Sequence, residues 1–213
     1  MRWRERAFPG WIWRLPAGNG QIALTFDDGP DPASTPQLLS MLDSLTIRTT
    51  MFLLGKPCDA QRELIRKCGA ANHTLAVHGF THESFLFHSG NWQREQILRA
   101  MGILQESGAE WARLFRPPYG RFNPATARVL TELDFTGVLW SRIVRDWVPK
   151  EIAQIERRLT GDLHDGSIIV LHDRPQTIRN VLQVLPCLAD EVNRRGWQFT
   201  TLSHPTAHPL ADL

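Results

Sequence analysis

Two adjacent carboxylates, Asp27 and Asp28, stand where an apolar run, Ile22-Ala23-Leu24-Thr25-Phe26, meets the turn residues Gly29-Pro30. An apolar stretch of this length ending in Gly-Pro reads as a buried strand that stops there. Ionised groups are costly to bury alone, so a carboxylate pair at such a place calls for a metal, a cation or a shared proton. Asp-Gly-Pro-Asp is also ordinary turn chemistry and by itself requires no function. Further along, His78 and His82 are four residues apart. On one helical turn their rings would share a face and could grip one metal. Two imidazoles with one carboxylate, here Asp28, form a ligand set of catalytic zinc or non-haem iron that leaves positions open for water and substrate. The zinc-protease pattern wants Glu after the first His; Gly79 stands there instead.

Other segments carry weaker signals. In Arg116-Pro117-Pro118-Tyr119-Gly120 the two prolines fix φ and cannot donate, so the Tyr119 N–H is the first backbone donor after them. Asp146-Trp147 and Leu171-His172-Asp173 are short and say little alone. His73, His88, His164, His204 and His208 have polar or Pro-rich neighbours and read as solvated.

These residues need elements to position them. Apolar runs at 21–27, 49–54, 74–78, 113–116, 135–140, 167–172 and 198–202 read as strands, and segments of helical period lie between them. Thr35-Pro36 and Asn123-Pro124 each offer a helix cap followed by proline at the first helical position. Ile152, Ile155 and Leu159 mark one apolar stripe; Ile178, Val181, Leu182, Leu185, Leu188 and Val192 mark another, with a kink or break expected at Pro186. Strands alternating with helices imply parallel pairing, in a barrel or a doubly wound sheet. Asp27 and Asp28, His78, Arg116 and His172 all fall at strand C-terminal ends, which converge on one face in βα barrels.

Bulk properties narrow the choice. The 213 residues suit one domain, with a lead-in over 1–20, the domain over 21–203 and a tail over 204–213. With 24 basic and 22 acidic residues the net charge is +2, which gives no field for nucleic acid. Cys58, Cys68 and Cys187 are odd in number and lack Cys-x-x-Cys spacing, against a disulfide framework or thiolate zinc site. No run approaches the ~18 apolar residues of a membrane span. Pro9 and Arg14 interrupt the N-terminal segment, so no signal peptide is read; the expectation is a cytoplasmic protein, or an export signal lying outside this chain. A monomer is expected.

Together the segments resemble the polysaccharide deacetylases of the NodB-homology type, carbohydrate esterase family four. The resemblance runs from about residue 9 to 203 and rests on five ordered motifs: Thr25-Phe26-Asp27-Asp28-Gly29, His78-x-x-x-His82, Arg116-Pro117-Pro118-Tyr119, Asp146-Trp147 and Val170-Leu171-His172. It implies an α/β single-domain fold, a distorted (β/α) barrel of seven or eight strands. The implied activity is metal-dependent removal of N- or O-acetyl groups from an N-acetylglucosamine-containing oligo- or polysaccharide. Asp28, His78 and His82 would hold one divalent ion, zinc first and cobalt as an alternative. Asp27 would be the general base and His172 the general acid. Arg116 with Asp146 would orient the base, and the Tyr119 N–H would face the oxyanion. Trp147 and Val170 or Leu171 would line a pocket for the acetyl methyl.

The chain departs from the family pattern at four positions. Gly79 replaces Ser or Thr and Val77 replaces Asn, which removes a loop-bracing hydrogen bond. Ile143 replaces an acidic residue and Val170 a leucine. Two rival readings accompany the resemblance: an amidohydrolase of similar fold acting on a small amide, and a glycan-binding homologue without turnover.

Overall fold

A computed structural model of the protein describes residues 2–148 and 151–204, and the side chains among them from residue 5 onward. His208, most of the expected tail and the ring of Trp3 lie outside what is described. Eight strands, β1 (Gln21–Asp27), β2 (Thr50–Leu53), β3 (Thr74–Val77), β4 (Leu114–Phe115), β5 (Thr136–Gly137), β6 (Arg142–Ile143), β7 (Ile168–His172) and β8 (Gln198–Thr200), form one sheet. Helices α1 (Arg2–Ala7), α2 (Thr35–Ser44), α3 (Gly55–Asp59), α4 (Arg62–Ala70), α5 (Gly90–Ser107), α6 (Pro124–Glu132), α7 (Ile152–Thr160) and α8 (Ile178–Arg194) connect or flank them. No helix is long and apolar enough to cross a membrane among the described residues.

The sheet order is β5-β4-β3-β2-β1-β7-β6, and its pairings are parallel. β2 pairs with the upper half of β1, Thr25–Asp27, while β8 pairs with Gln21–Ala23 below it. The Leu202 N–H donates to the Thr50 hydroxyl, so β8 sits at the foot of β2. The lead-in spans the remaining gap: Ile12 pairs with Val138 beyond β5, and the Leu15 N–H reaches the Gly166 carbonyl before β7. Trp11 lies so close over Gly137 that a Cβ there would come within 2.2 Å of its ring. The result is the distorted α/β barrel of the family resemblance.

Strand alternation sorts the side chains into two layers. Ile22, Leu24, Phe26, Leu75, Val77, Ile169 and Leu171 face the helices and join the larger core with α2, α5 and α8. Ala23, Phe52, Ala76, Leu114 and Ile168 face the barrel interior. One or two periods further up, that same inward row continues as Asp27, His78, Arg116 and His172. The interior is therefore apolar at its base and ends, on the C-terminal side, in four chemically active groups.

Several local expectations need correction. Asn123 caps α6 with a full capping box, but α2 begins one residue earlier than expected, with Ser34 at its cap and no side-chain capping bond. The hydroxyls of Ser34 and Thr35 are committed to Asp173 instead, at 2.6 and 2.5 Å. α8 runs through Pro186 without a break, with Val184, Leu185 and Leu188 buried on either side of it. β6 was not expected; its two residues, one half-buried and one exposed, carry no apolar run. His73 is buried rather than solvated, its Nδ1 accepting from the Thr49 N–H at 3.1 Å.

Candidate active site

Asp27 is the last residue of β1 and turns inward. Its Oδ1 accepts from Arg116 Nη1 at 2.6 Å, and the same nitrogen donates to the Thr25 hydroxyl at 2.7 Å. The Arg116 guanidinium is fully buried and lies 4.0 Å over the Phe52 ring. Burial lowers its pKa and Asp27 opposes that shift, but guanidinium remains charged in proteins. Asp27 is thereby held by a buried cation from below.

Asp28 follows with φ +80, past the end of the strand, and both carboxylates reach the same cavity: Asp27 Oδ2 lies 3.9 Å and Asp28 Oδ1 3.6 Å from His78 Nε2. The Asp28 carboxylate is buried, and neither oxygen has a hydrogen-bond partner among the described residues. Its Oδ1 lies 3.6 Å from His78 Nε2 and 3.1 Å from His82 Nε2. Ligand atoms of Asp28, His78 and His82 all fall within 4.8 Å of one another. Burying a carboxylate is expensive; Arg174, its Nε 2.7 Å from Oδ2, is the one cation against it among the described residues, and on the other side two imidazole nitrogens converge with Oδ1 in a cation site. These residues fit one divalent ion.

The tautomer agrees. His78 Nδ1 meets the Arg116 carbonyl oxygen at 2.7 Å, where it must donate, leaving Nε2 with a free lone pair on the ligand side. Burial drives the His78 pKa down to about 3 despite Asp28, so the ring is neutral at any working pH. His82 is also lowered, chiefly by burial, with Asp28 opposing and Arg174 assisting. The two histidines do not share a helical turn as the spacing suggested. β3 ends at Val77, and the chain turns at Gly79 (φ +87), a left-handed conformation suited to glycine. Bracing does not depend on the missing Ser or Thr: the Gly55 and Lys56 N–H groups donate to the Gly79 and Phe80 carbonyls, and the Thr81 N–H donates to Gln96.

His172 ends β7 opposite Asp27, its register partner. Asp146 grips it twice: Oδ1 meets His172 Nδ1 at 2.8 Å, and Oδ2 accepts the His172 backbone N–H at 2.9 Å. The pairing of β6 with β7 brings residues 144–146 alongside. Burial lowers the His172 pKa, but the hydrogen bond and charge of Asp146, with Asp27 and Asp28, outweigh it and leave the imidazole raised. The structure thus places Asp146 against His172. Asp146 was expected to orient the base with Arg116; of the two, Arg116 contacts Asp27, and Asp146 contacts His172. Asp173 points to the opposite face and ties down the start of α2, its own pKa pushed up to about 6 by burial.

Tyr119 sits in a 3-10 turn (Pro118–Gly120) with φ +59, and its N–H donates to no group among the described residues. Its ring lies 4.4 Å from that of His82. A cavity of about 240 Å³ joins these groups and is also lined by Trp140, Ile143, Trp147, Val170, Arg174 and Thr177. Trp147 meets His172 edge-on at 4.7 Å. Leu171 does not line the cavity: the alternation along β7 turns it to the helices, and Val170 alone of the pair faces the cleft. Trp11 and Trp13 pack with Phe122 and do not line the cavity. Sequence reasoning missed Trp140 and Arg174. A basic residue two positions after His172, in the turn that closes over the strand ends, was the available signal for the second.

The family model for polysaccharide deacetylases matches residues 15–138. A peptidoglycan-N-acetylglucosamine deacetylase of Bacillus cereus is 30% identical over 200 residues, covering 90% of each chain. A chitooligosaccharide deacetylase of Azorhizobium caulinodans is 28% identical over 191 residues, covering 82% of this chain and 91% of its own. The crystal structure of a peptidoglycan N-acetylglucosamine deacetylase superposes with a TM-score of 0.88 at 26% identity, covering 95% of this chain and 94% of the other. By these matches, the barrel and the Asp-His-His site, the chain belongs to the polysaccharide deacetylase family.

Proposed function

We propose that the protein is a metal-dependent hydrolase that removes N-acetyl groups from an N-acetylglucosamine-containing glycan, of the peptidoglycan or chito-oligosaccharide kind, and releases acetate. The observation that carries this reading is the presence of two separately held groups, Asp27 on Arg116 and His172 on Asp146, in one cavity with one cation site. Bound by Asp28, His78 and His82, a divalent ion, zinc by preference, supplies Lewis acidity toward the acetyl carbonyl and a water of lowered pKa.

The chain's own residues do the rest. Asp27, fixed through Oδ1, has Oδ2 free to take the proton of the attacking water. Charge that develops on the carbonyl oxygen finds the uncommitted Tyr119 N–H; one such donor is worth about 2.7–4 kcal/mol. An amine leaves poorly as an anion, so His172 delivers a proton from Nε2, its Nδ1 being engaged by Asp146. Trp147, Val170 and Ile143 offer the apolar wall that an acetyl methyl needs.

The test is acetate release from a panel of N-acetylated chito-oligosaccharides, peptidoglycan fragments, acetylated xylan and small cyclic amides. Turnover of the N-acetylglucosamine substrates is expected. Turnover confined to the small amides would favour an amidohydrolase, and tight glycan binding with no acetate would favour a binding protein.

A further inference from the structure

Asp28 has a neighbour that the assigned roles leave unused. Arg174 Nε lies 2.7 Å from Asp28 Oδ2, and Arg174 Nη2 donates to His82 Nδ1 at 3.4 Å. The guanidinium therefore rests on two of the three ligand residues at once. Its backbone is fixed in the turn between β7 and α8, where the Arg174 carbonyl accepts from the Thr177 and Ile178 N–H groups and from the Thr177 hydroxyl. The side chain is 40% exposed, against 1% for Asp28, so solvent is open to the arginine arm but not to the carboxylate.

Two consequences oppose capture of a metal. Guanidinium is always charged, so a divalent ion between Asp28 and His82 meets a like charge at close range. An imidazole that gives Nε2 to a metal also carries its proton on Nδ1. That proton would face the Nη2 donor, and two donors cannot share the contact. Arg174 Nη2 has to leave His82 for Nε2 to serve as a ligand. Oδ1 of Asp28, by contrast, is left to the two imidazoles, His82 Nε2 at 3.1 Å and His78 Nε2 at 3.6 Å, because the arginine engages only Oδ2.

We propose that Arg174 is a built-in counter-ion of the metal site: it neutralises the buried Asp28 carboxylate until metal enters, is displaced from His82 by that entry, and so weakens and sets the affinity for the ion. The inference rests on the reading of Asp28, His78 and His82 as the ligands.

The test titrates metal-stripped wild type, Arg174→Gln and Arg174→Lys with zinc against a chromophoric chelator, and records thermal unfolding midpoints with and without zinc. Arg174→Gln should bind zinc roughly tenfold more tightly or better, as removal of a nearby like charge at a partly exposed site implies. Its stripped form should unfold at a lower temperature than stripped wild type, and zinc should raise its midpoint further. Arg174→Lys keeps the charge and should stay near the wild-type affinity. Unchanged affinity in Arg174→Gln overturns the proposal. So does a loss on the order of 10–100-fold, the mark of an ordinary supporting partner, or equal tightening by the Lys variant. If wild type binds no more zinc than His82→Ala, the ligand assignment itself fails and the proposal with it.

Discussion

Replacing Asp146 by Asn keeps the side chain's shape and removes one negative charge from behind His172. Both carboxylate oxygens are acceptors in the native site, from His172 Nδ1 at 2.8 Å and from the His172 backbone N–H at 2.9 Å. An amide has one oxygen, so its NH2 must face one of two N–H donors, and the charge assistance to the imidazolium disappears. A hydrogen bond to a charged group is worth about 1.5–3 kcal/mol, which at 1.36 kcal/mol per decade is roughly 10- to 150-fold in kcat/KM. The sign on pH follows from the direction of the shift. His172 is raised in the native protein, so it remains a proton donor to higher pH; Asp146→Asn lowers it, and the alkaline limb of the kcat/KM profile moves to lower pH. Asp146 makes no contact with Asp28, His78 or His82, so metal content should not change. The assay is acetate release from an N-acetylated chito-oligosaccharide across pH, with elemental analysis of each preparation. A full rate with an unmoved alkaline limb would refute the assignment of Asp146 and leave His172 without its partner.

Acid should destabilise the fold through His73, whose pKa burial drives down to about 4 from an unfolded value near 6.5. This contribution is intact above pH 6.5 and is lost as pH falls toward 4, about 3 kcal/mol in all; urea titrations should show His73→Asn, whose Oδ1 can replace the Nδ1 acceptor, losing that part of the pH slope. Gly79→Ala forces a side chain into φ +87 and brings its Cβ to 3.4 Å from Phe85. It should cost about 1–3 kcal/mol of stability and weaken zinc binding, because the loop that carries His82 must shift; unchanged zinc affinity would show that the loop's geometry is not set at this glycine.

The inward row of active groups was legible because it follows from strand ends alone. Asp27, His78, Arg116 and His172 each stand at or just past the last residue of a strand read from apolar runs. The ligand set also emerged, although the expected helical turn between the histidines is in fact a glycine-hinged loop. What could not be read was partnership across the barrel. The family resemblance implies a common role for Arg116 and Asp146; only the pairing of β6, two residues without an apolar pattern, carries Asp146 to His172. Leu171 and Val170 were interchangeable as apolar neighbours until the register of β7 separated their faces. Thr35 reads as a capping residue by type, but the buried carboxylate of Asp173, distant in sequence, claims its hydroxyl and that of Ser34. Contacts of this kind are set by tertiary register, which no window of sequence contains.

Acetate release by protein stripped of metal, and by the same protein after one equivalent of zinc or cobalt is returned, tests metal-dependent deacetylation most directly. Wild type should lose turnover on stripping and regain it on return of the metal. His82→Ala should neither retain the ion nor recover, and Asp27→Asn should bind a full equivalent yet stay inactive, since Asn cannot accept the proton. Full turnover by protein that elemental analysis finds free of metal, or near wild-type turnover by Asp27→Asn, would contradict the chemistry assigned to this site.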